Sequence, residues 1–427
     1  MKQRKLDIHY DSKLVGILTE DENSLLRFSY DSNWTADLDA FPLSLALPLR
    51  DDTYTGKVVT SFFENLIPEG DQRRQIEQIA GLPAADDAAY LERFGEDCAG
   101  ALSISIHQFQ PAQSKEAHEK HVPFQTIEEL IKKGVPVSTM LLQDADFPPF
   151  SLAGAQAKFA CCIREGQIYL PGAGRPTTHI VKLPIRSGEK LLDSVLNEYL
   201  SMRLAKLCGL TVPDVMIFGD KVPLFGIKRF DRAASSNLTR RLHAQDFCQA
   251  LGIPSREKYE SHGGPSFASC YGLVREHSTN AAHDLLGLID WVGFNLALGN
   301  NDSHAKNLSL ILSSDGIKLA PFYDLVCTAL YPQFSSQFAF RFAEVRSWEK
   351  ITNARIDVFS KHLGLHGNFL ISRWIILFDK LNKGFQELFI ECSVDKARIK
   401  TLEKIGLEIR KRTQSLEKAF QKMSPKK

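Results

Sequence analysis

A change in hydrophobic pattern near residue 232 constrains the fold more than any other feature of this sequence. Before it, short apolar runs such as KFACCI, QIYL, HIVK and PLFGIKRF have the length and composition of strands. After it, the run LLGLIDWVGFNLALG (285–299) is apolar on nearly every face, which is typical of a helix buried in a larger helical unit. The pattern therefore predicts an α+β chain with two lobes, first β-rich and then helical.

The length of 427 residues indicates more than one structural unit, because a single core stops growing well below that size. Short alternating runs predict a small β-rich N-terminal subdomain over residues 1–107. A polar stretch with two prolines predicts a linker at 108–123. The β-rich lobe is then expected at 124–232, including a helix from Ser194 that Asp193 caps and Gly209 ends, and the helical lobe at 233–427.

Composition excludes several classes of protein. A net charge of +1 argues against a general affinity for polyanions. Eight cysteines without a CxxC pair argue against a zinc site or a disulfide framework, and they predict free, buried thiols. The sequence shows no signal peptide, and its longest apolar stretch contains Asp290 and is too short to span a bilayer. A cytoplasmic protein without membrane contact is expected.

The strongest local signal is the segment NDSHAKN (301–307), which FYD (322–324) follows. Phosphoryl transfer from ATP requires a carboxylate that orients the attacking hydroxyl and hard oxygen ligands for Mg²⁺. Kinases supply them with a D-x-x-x-x-N loop and a later aspartate at the end of a hairpin. Asp302 and Asn307 have this spacing, and the hairpin LSLIL–SSDG–IKLAPFYD leads to Asp324. The alternative is that Asp302 and Asn307 only cap a turn.

Three further segments fit a nucleotide site less specifically. Lys182 lies in an apolar strand and Glu198 beside the apolar face of the next helix, in the order of the lysine–glutamate pair of kinases. The small residues of SLAGAQAK (151–158) would let a backbone approach phosphates, although an ordinary turn explains them too. GIKRFDR (226–232) could present backbone groups and Phe230 to an adenine, or end a strand with solvated Arg and Lys.

Taken together, these segments resemble the HipA family of bacterial toxin kinases. The resemblance runs through SLAGAQAK, THIVKLP, NEY, KRFDR, AQDFCQALG, KYESHGGP, NDSHAKN and APFYD, and it includes FFENLIPEG and FGEDCAGAL nearer the N-terminus. It covers most of residues 60–330. The family's fold is a two-lobed kinase with an added N-terminal subdomain. Ser303 stands where a small residue, often glycine, commonly follows the aspartate.

The resemblance implies a protein serine/threonine kinase that uses ATP and Mg²⁺. Asp302 would be the catalytic base, Asn307 and Asp324 the magnesium ligands, and Ser151 a site of autophosphorylation that inactivates the enzyme. The remaining implied nucleotide-binding residues are Ala153, Gly154, Ala155, Gln156, Ala157, Lys158, Lys182, Lys228, Phe230, His304 and Tyr323. A small helix-turn-helix antitoxin is the implied partner, with DNA reached only through it, and the implied growth-inhibiting substrate is a translation component such as an aminoacyl-tRNA synthetase.

Other functions remain open on the sequence alone. One alternative is a kinase for a lipid or a small molecule. A second is a metal-dependent phosphohydrolase that uses Asp302, His304 and Asp324, because carboxylates with histidine form a common metal set. A third is a binding module without activity, since residues 391–427 contain eleven Lys/Arg against five Asp/Glu. A solvated helix face explains that last bias more simply.

Overall fold

The computed structural model of the chain describes residues 3–107, 119–144, 152–172, 175–187, 190–219, 221–235 and 238–421. The chain divides into two units by its internal contacts. Unit 1 consists of Met1–Leu191, Met216–Ser255 and Leu310–Gly316, and unit 2 of Leu192–Val215, Arg256–Ser309 and Ile317–Lys427. The predicted four-part division into subdomain, linker and two lobes stays a prediction.

The strands of the described residues are β1 (Arg4–Tyr10), β2 (Lys13–Glu20), β3 (Leu26–Tyr30), β4 (Tyr54–Thr55), β5 (Leu102–Ile106), β6 (Lys120–Val122), β7 (Lys158–Arg164), β8 (Gln167–Leu170), β9 (His179–Lys182), β10 (Arg186–Ser187), β11 (Lys190–Leu191), β12 (Val215–Phe218), β13 (Leu224–Lys228), β14 (Arg232–Ser235), β15 (Leu238–Arg241), β16 (His243–Asp246), β17 (Ser309–Ser313) and β18 (Gly316–Leu319).

The α-helices of the same residues are α1 (Ser32–Thr35), α2 (Lys57–Glu64), α3 (Gly70–Ala80), α4 (Asp87–Phe94), α5 (Phe124–Lys133), α6 (Val137–Asp144), α7 (Ser194–Leu207), α8 (Phe247–Ala250), α9 (Phe267–His277), α10 (Ala281–Leu298), α11 (Asn353–His362), α12 (Gly367–Glu391) and α13 (Lys396–Gln421).

Unit 1 is built on two antiparallel sheets. The first has the strand order β4-β3-β2-β1-β5, and the second β12-β13-β9-β7-β8-β6. In the first sheet Leu6 and Ile8 of β1 are buried, and they pair with Ile106 and Ile104 of β5. A continuous apolar core includes residues of both sheets and of helices α2 to α6. The α+β class predicted from the sequence is confirmed.

A buried ionic cluster joins two distant segments within unit 1. The Arg229 and Arg232 side chains are 1% and 2% exposed, and they contact Asp97 and Asp231 at 2.7–3.1 Å. Burial alone would raise the pKa of the Asp231 carboxyl, but Arg229 and Arg232 outweigh it and hold that pKa well below its usual range. The alternative of a strand end with solvated Arg and Lys is wrong for the arginines, because both are buried and paired, whereas Lys228 is exposed.

Unit 2 is mainly helical. Helix α10 lies at its centre, and its contacts include α9, α12 and α13. Trp291 of α10 stacks between Phe267 and Phe322, with ring centroids 6.3 and 6.1 Å away. Gly293 allows α12 to approach, because a Cβ there would lie 2.5 Å from the Trp374 ring. The prediction of a helix apolar on nearly every face is confirmed.

Several smaller predictions can be compared with the structure. All eight cysteines are free and buried, as predicted. Helix α7 begins at Ser194 as predicted, although the Asp193 side chain makes no capping bond and instead contacts Lys404 at 3.0 Å. Across the residues described, no helix combines the length and apolarity required for crossing a bilayer.

Candidate active site

The polar segment after α10 begins at a left-handed glycine. Gly299 ends the helix with φ 82°, and its N–H donates to the Asn295 carbonyl at 3.0 Å. Asn300 follows, and its Nδ2 donates to Asn295 Oδ1 at 2.8 Å and to the Asp324 carbonyl at 3.3 Å. One buried amide therefore links the end of α10, the loop and the chain after the hairpin.

Asp302 stands on this loop with an exposed side chain. Its backbone N–H donates to Asn300 Oδ1 at 3.2 Å. Its carbonyl accepts from Asn307 Nδ2 at 3.1 Å, and its carboxylate Oδ1 accepts from the Tyr259 hydroxyl at 2.7 Å. The structure thus brings Asp302 and Asn307 together in one hydrogen-bonded loop.

The Asn307 amide has a defined orientation. A carbonyl oxygen can only accept, so the amide nitrogen must face the Asp302 carbonyl and the amide oxygen must face away from it. Asp324 adopts a left-handed backbone, with φ 58°. Asn300 binds the Asp324 carbonyl, so the same amide that orders the loop also holds this residue. A carboxylate and an amide oxygen are hard ligands suited to Mg²⁺.

Two aromatic residues accompany this loop: His304 lies within it, and Tyr323 follows β18. The buried His304 ring meets the Tyr259 ring edge-on, with centroids 5.1 Å apart. The Tyr323 hydroxyl donates to the Lys306 carbonyl at 2.7 Å, and Ser309 Oγ lies 2.6 Å from the same hydroxyl. Because the Tyr323 proton is used on Lys306, Ser309 is the donor in the second bond.

Helix α7 brings Glu198 into unit 2 with a side chain 1% exposed. Its neighbour Asn197 binds Cys327, donating Nδ2 to the carbonyl at 3.0 Å and accepting the N–H at 2.9 Å. This pair fixes the chain three residues beyond Asp324. Lys182 belongs to unit 1, so the pairing of Lys182 with Glu198 stays a prediction.

In unit 1 the loop predicted to bind phosphates leads into β7, which begins at Lys158. Gly154 has φ 105°, and a Cβ there would lie 2.6 Å from Lys158 Nζ. Gln156 Nε2 donates to the Leu183 carbonyl at 2.8 Å. Lys158 and Lys182 are direct partners on β7 and β9. Ser151, the predicted autophosphorylation site, lies outside the described residues.

Lys228 and Phe230 lie at the end of β13, where Lys228 is exposed and Phe230 half-buried. Lys228 pairs with His179 of β9. Burial, with the Lys228 cation adding to it, lowers the pKa of His179 to about 4. The backbone here continues as Arg229, whose N–H donates to the Thr178 carbonyl at 2.9 Å.

The structure adds residues that the sequence analysis left without a role. Tyr259 contacts Asp302 directly, and Asn300 and Asn197 hold the chain on either side of Asp324. Tyr259 lies in KYESHGGP, which the resemblance included, so a signal for it was present. Asn300 and Asn197 carried no separate signal, because a single asparagine is common at turns and helix surfaces.

The alternative of a metal site made by Asp302, His304 and Asp324 does not assemble. Over the part of the chain that the structure describes, no three His, Cys, Asp or Glu side chains converge as a metal-binding group.

Comparisons with known proteins identify the family. Residues 6–105 match the HipA N-terminal domain, and residues 150–370 match the HipA-like C-terminal domain. A Sinorhizobium fredii protein named as a kinase, Y4mE, is 34% identical over 415 residues, covering 93% of this chain and 96% of that protein. The serine/threonine-protein kinase toxin HipA of Shewanella oneidensis is 28% identical over 408 residues, covering 91% and 90%.

A solved structure shares the fold. The complex of Shewanella oneidensis HipA with HipB and its operator DNA contains a chain with a TM-score of 0.83 and 26% identity, covering 95% of this chain and 96% of that one. The predicted kinase-like fold and the prediction of a serine/threonine-protein kinase are confirmed at the level of the family. This chain therefore belongs to the HipA family of kinases.

Proposed function

We propose that this protein transfers the γ-phosphoryl group of ATP to a serine or threonine of a protein, with Asp302 as catalytic base. The observation that carries the proposal is the loop in which Asn307 binds the Asp302 carbonyl while Asn300 binds the Asp324 carbonyl. It supports a base and one hard-oxygen ligand on a hydrogen-bonded loop that is tied to the residue of the second ligand, as phosphoryl transfer requires.

In the proposed reaction the acceptor hydroxyl donates its proton to the Asp302 carboxylate. Its oxygen forms a bond to the γ-phosphorus, and the bond from that phosphorus to the bridging oxygen of ADP breaks. Asn307 and Asp324 would hold Mg²⁺, which when bound neutralises phosphate charge. The exposure of Asp302 supports this role, because an acceptor from another protein must reach it.

Phosphate binding would fall to unit 1. Lys158 and Lys182 are opposite each other on adjacent strands, so one polyphosphate bound there would lie beside two cationic side chains. Gly154 supports the same role, because its backbone has φ 105°, a conformation that glycine adopts readily and that L side chains rarely adopt. The backbone of Lys228 and Phe230 would bind the adenine.

The family supports further parts of the proposal. A growth-inhibiting role through a translation component such as an aminoacyl-tRNA synthetase, and inactivation by autophosphorylation at Ser151, rest on the family resemblance alone. An antitoxin partner is supported by the similar HipA structure, which contains HipB and operator DNA. That this partner is a helix-turn-helix protein, and that DNA is bound only through it, rests on the family resemblance.

The substitution Asp302→Asn tests the catalytic role. It keeps the shape of the side chain and an oxygen that can accept from Tyr259, but it removes the base. Transfer of labelled phosphate from Mg-ATP should fall by roughly 10²–10⁴, the usual contribution of a general base. ATP binding, measured by calorimetry, should be unchanged. The exposed Asp379→Asn serves as control, and an Asp302→Asn protein with wild-type transfer would contradict the proposal.

A further inference from the structure

Neighbouring groups in unit 2 hold Tyr259 in the position from which it donates a hydrogen bond to the proposed base. The Tyr259 hydroxyl donates to Asp302 Oδ1 at 2.7 Å, which is a normal length for a hydroxyl bound to a carboxylate. The Tyr259 ring also meets the His304 ring edge-on at 5.1 Å and the His262 ring at 5.4 Å. Two aromatic neighbours therefore limit rotation of the tyrosine about its side-chain bonds.

The backbone on both sides of Tyr259 is fixed as well. The Tyr259 carbonyl accepts from the N–H groups of His262 at 2.9 Å and Gly264 at 3.0 Å, so the chain closes on itself after the tyrosine. This turn requires its glycines. Gly263 has φ 89°, and a Cβ on Gly264 would collide with the Glu257 carbonyl.

A ring of hydrogen bonds then connects this turn to the loop of the base. The Glu260 N–H donates to the Ala339 carbonyl at 3.2 Å, and the Ala339 N–H donates to the Asn301 carbonyl at 2.9 Å. The Glu260 carboxylate accepts from the Arg341 N–H at 2.6 Å and strengthens the same junction. The chain from Tyr259 through Glu260 and Ala339 reaches Asn301, the neighbour of Asp302. Tyr259 and Asp302 are therefore held by one closed network.

We propose that Tyr259 is the positioning residue of the phosphoryl-transfer reaction, holding the Asp302 carboxylate in the rotation that receives the acceptor hydroxyl. The inference rests on the proposed function, since it assigns Asp302 as base. A carboxylate on an exposed loop rotates easily, whereas catalysis requires it to be held within a few tenths of an ångström and about 10–20° of the productive geometry. Tyr259 supplies this constraint through its hydroxyl.

The substitution Tyr259→Phe removes only the hydroxyl and keeps the ring against His304. We expect kcat to fall by about 10–100-fold, in line with loss of a hydrogen bond to a charged group, while KM for ATP stays within about twofold. The acceptor in this assay is a degenerate serine/threonine peptide library, and ADP release from Mg-ATP is measured on the full chain. Tyr271→Phe, a buried tyrosine of α9 in the same unit, is the matched control and should leave kcat unchanged.

A double-mutant cycle separates this inference from the proposed function. If Tyr259 acts through Asp302, Tyr259→Phe should cost nothing further in the Asp302→Asn protein. An unchanged or raised kcat in Tyr259→Phe, a change confined to KM for ATP, or the same loss in both backgrounds would overturn the positioning role while the base assignment stands. Full activity of Asp302→Asn would instead overturn the proposed function itself.

A second variant covers the case in which Tyr259→Phe fails to fold, as judged from its melting temperature. Glu260→Ala loosens the network without touching the tyrosine, because it removes the acceptor of the Arg341 N–H. It should lower kcat and leave KM for ATP unchanged. A wild-type kcat in a folded Glu260→Ala protein would then overturn the positioning role.

Discussion

At the scale of single residues, Asp324 combines a costly backbone with a chemically useful side chain. Its φ of 58° lies in the left-handed region, which few residues other than glycine adopt, although aspartate and asparagine do so several-fold more often than most. Such conformations persist where the surroundings hold them, and here Asn300 binds the carbonyl.

The role of Asp324 in magnesium binding can be tested with Asp324→Asn. Asparagine tolerates the left-handed backbone, so this variant removes the charge with little strain. The gain in ATP affinity on adding Mg²⁺ should shrink by at least about tenfold, because even the loss of a group that only orients a metal ligand costs roughly 10–100-fold. Calorimetric titration of ATP with and without Mg²⁺ measures this gain. If the gain equals that of wild type and of the Asp379→Asn control, Asp324 is not a ligand.

At the scale of elements, the end of α10 and the helix α13 together support the loop of the base. The Gly299 carbonyl accepts from Ala329 N–H at 3.1 Å and from Thr328 Oγ at 3.2 Å. The buried Arg412 of α13 packs against the same glycine, where a Cβ would lie 2.9 Å from its Nε. A helix more than a hundred residues later in the chain thus restricts which residue can occupy position 299, two positions before NDSHAKN.

Gly299→Ala should therefore destabilise the protein more than a glycine replacement at an open left-handed position. The backbone cost of alanine in this region is about 1–2 kcal/mol, and the contacts with Arg412 and Ala329 add to it. Gly364→Ala is the matched control. Gly364 lies in the same unit with φ 73°, and a Cβ built there would lie 4.0 Å from its nearest neighbouring atom. Urea unfolding measures both free energies. Equal losses would mean that the contact with Arg412 costs nothing.

At the scale of the whole molecule, buried histidines of unit 1 contribute to how the stability of the chain responds to acid. His243 is 2% exposed, and burial lowers its pKa to about 4. Its Nε2 lies 2.7 Å from the Leu43 carbonyl, which can only accept, so Nε2 carries the proton of the neutral ring. Protonation would add a hydrogen at Nδ1, for which no acceptor exists among the described residues.

We therefore expect the free energy of unfolding to fall as the pH decreases from about 6.5 to 4. In this window the unfolded chain binds a proton at His243 that the folded chain does not, so stability is lost at up to about 1.4 kcal/mol per pH unit for this group. His179 contributes in the same direction, since its pKa is also lowered to about 4.

Urea midpoints at pH 7.5, 6 and 5 measure this loss. His243→Gln keeps a donor for Leu43 but cannot titrate, so its midpoint should depend less on pH than that of wild type. The exposed His362→Gln should behave as wild type. An identical pH dependence in wild type and His243→Gln would show that His243 does not titrate in this range.

The sequence by itself determined the element types and the chemistry of the loop. The β-rich part, the all-round apolar α10 and the start of α7 follow from hydrophobic period and turn residues, which act over short distances. The D-x-x-x-x-N spacing and the later aspartate were also readable, because they lie on one continuous stretch ending in a hairpin. The family followed from those same segments.

Only the tertiary structure decided which distant residues support the loop of the base and the buried polar groups. Tyr259 reaches Asp302 across 43 positions, Arg412 reaches Gly299 across more than a hundred, and Arg229 reaches Asp97 across 132. The left-handed Asp324 and the burial of Arg229 and Arg232 belong to the same class of facts. Local pattern cannot indicate such contacts, because they depend on how elements pack and on where a buried polar group finds its partner.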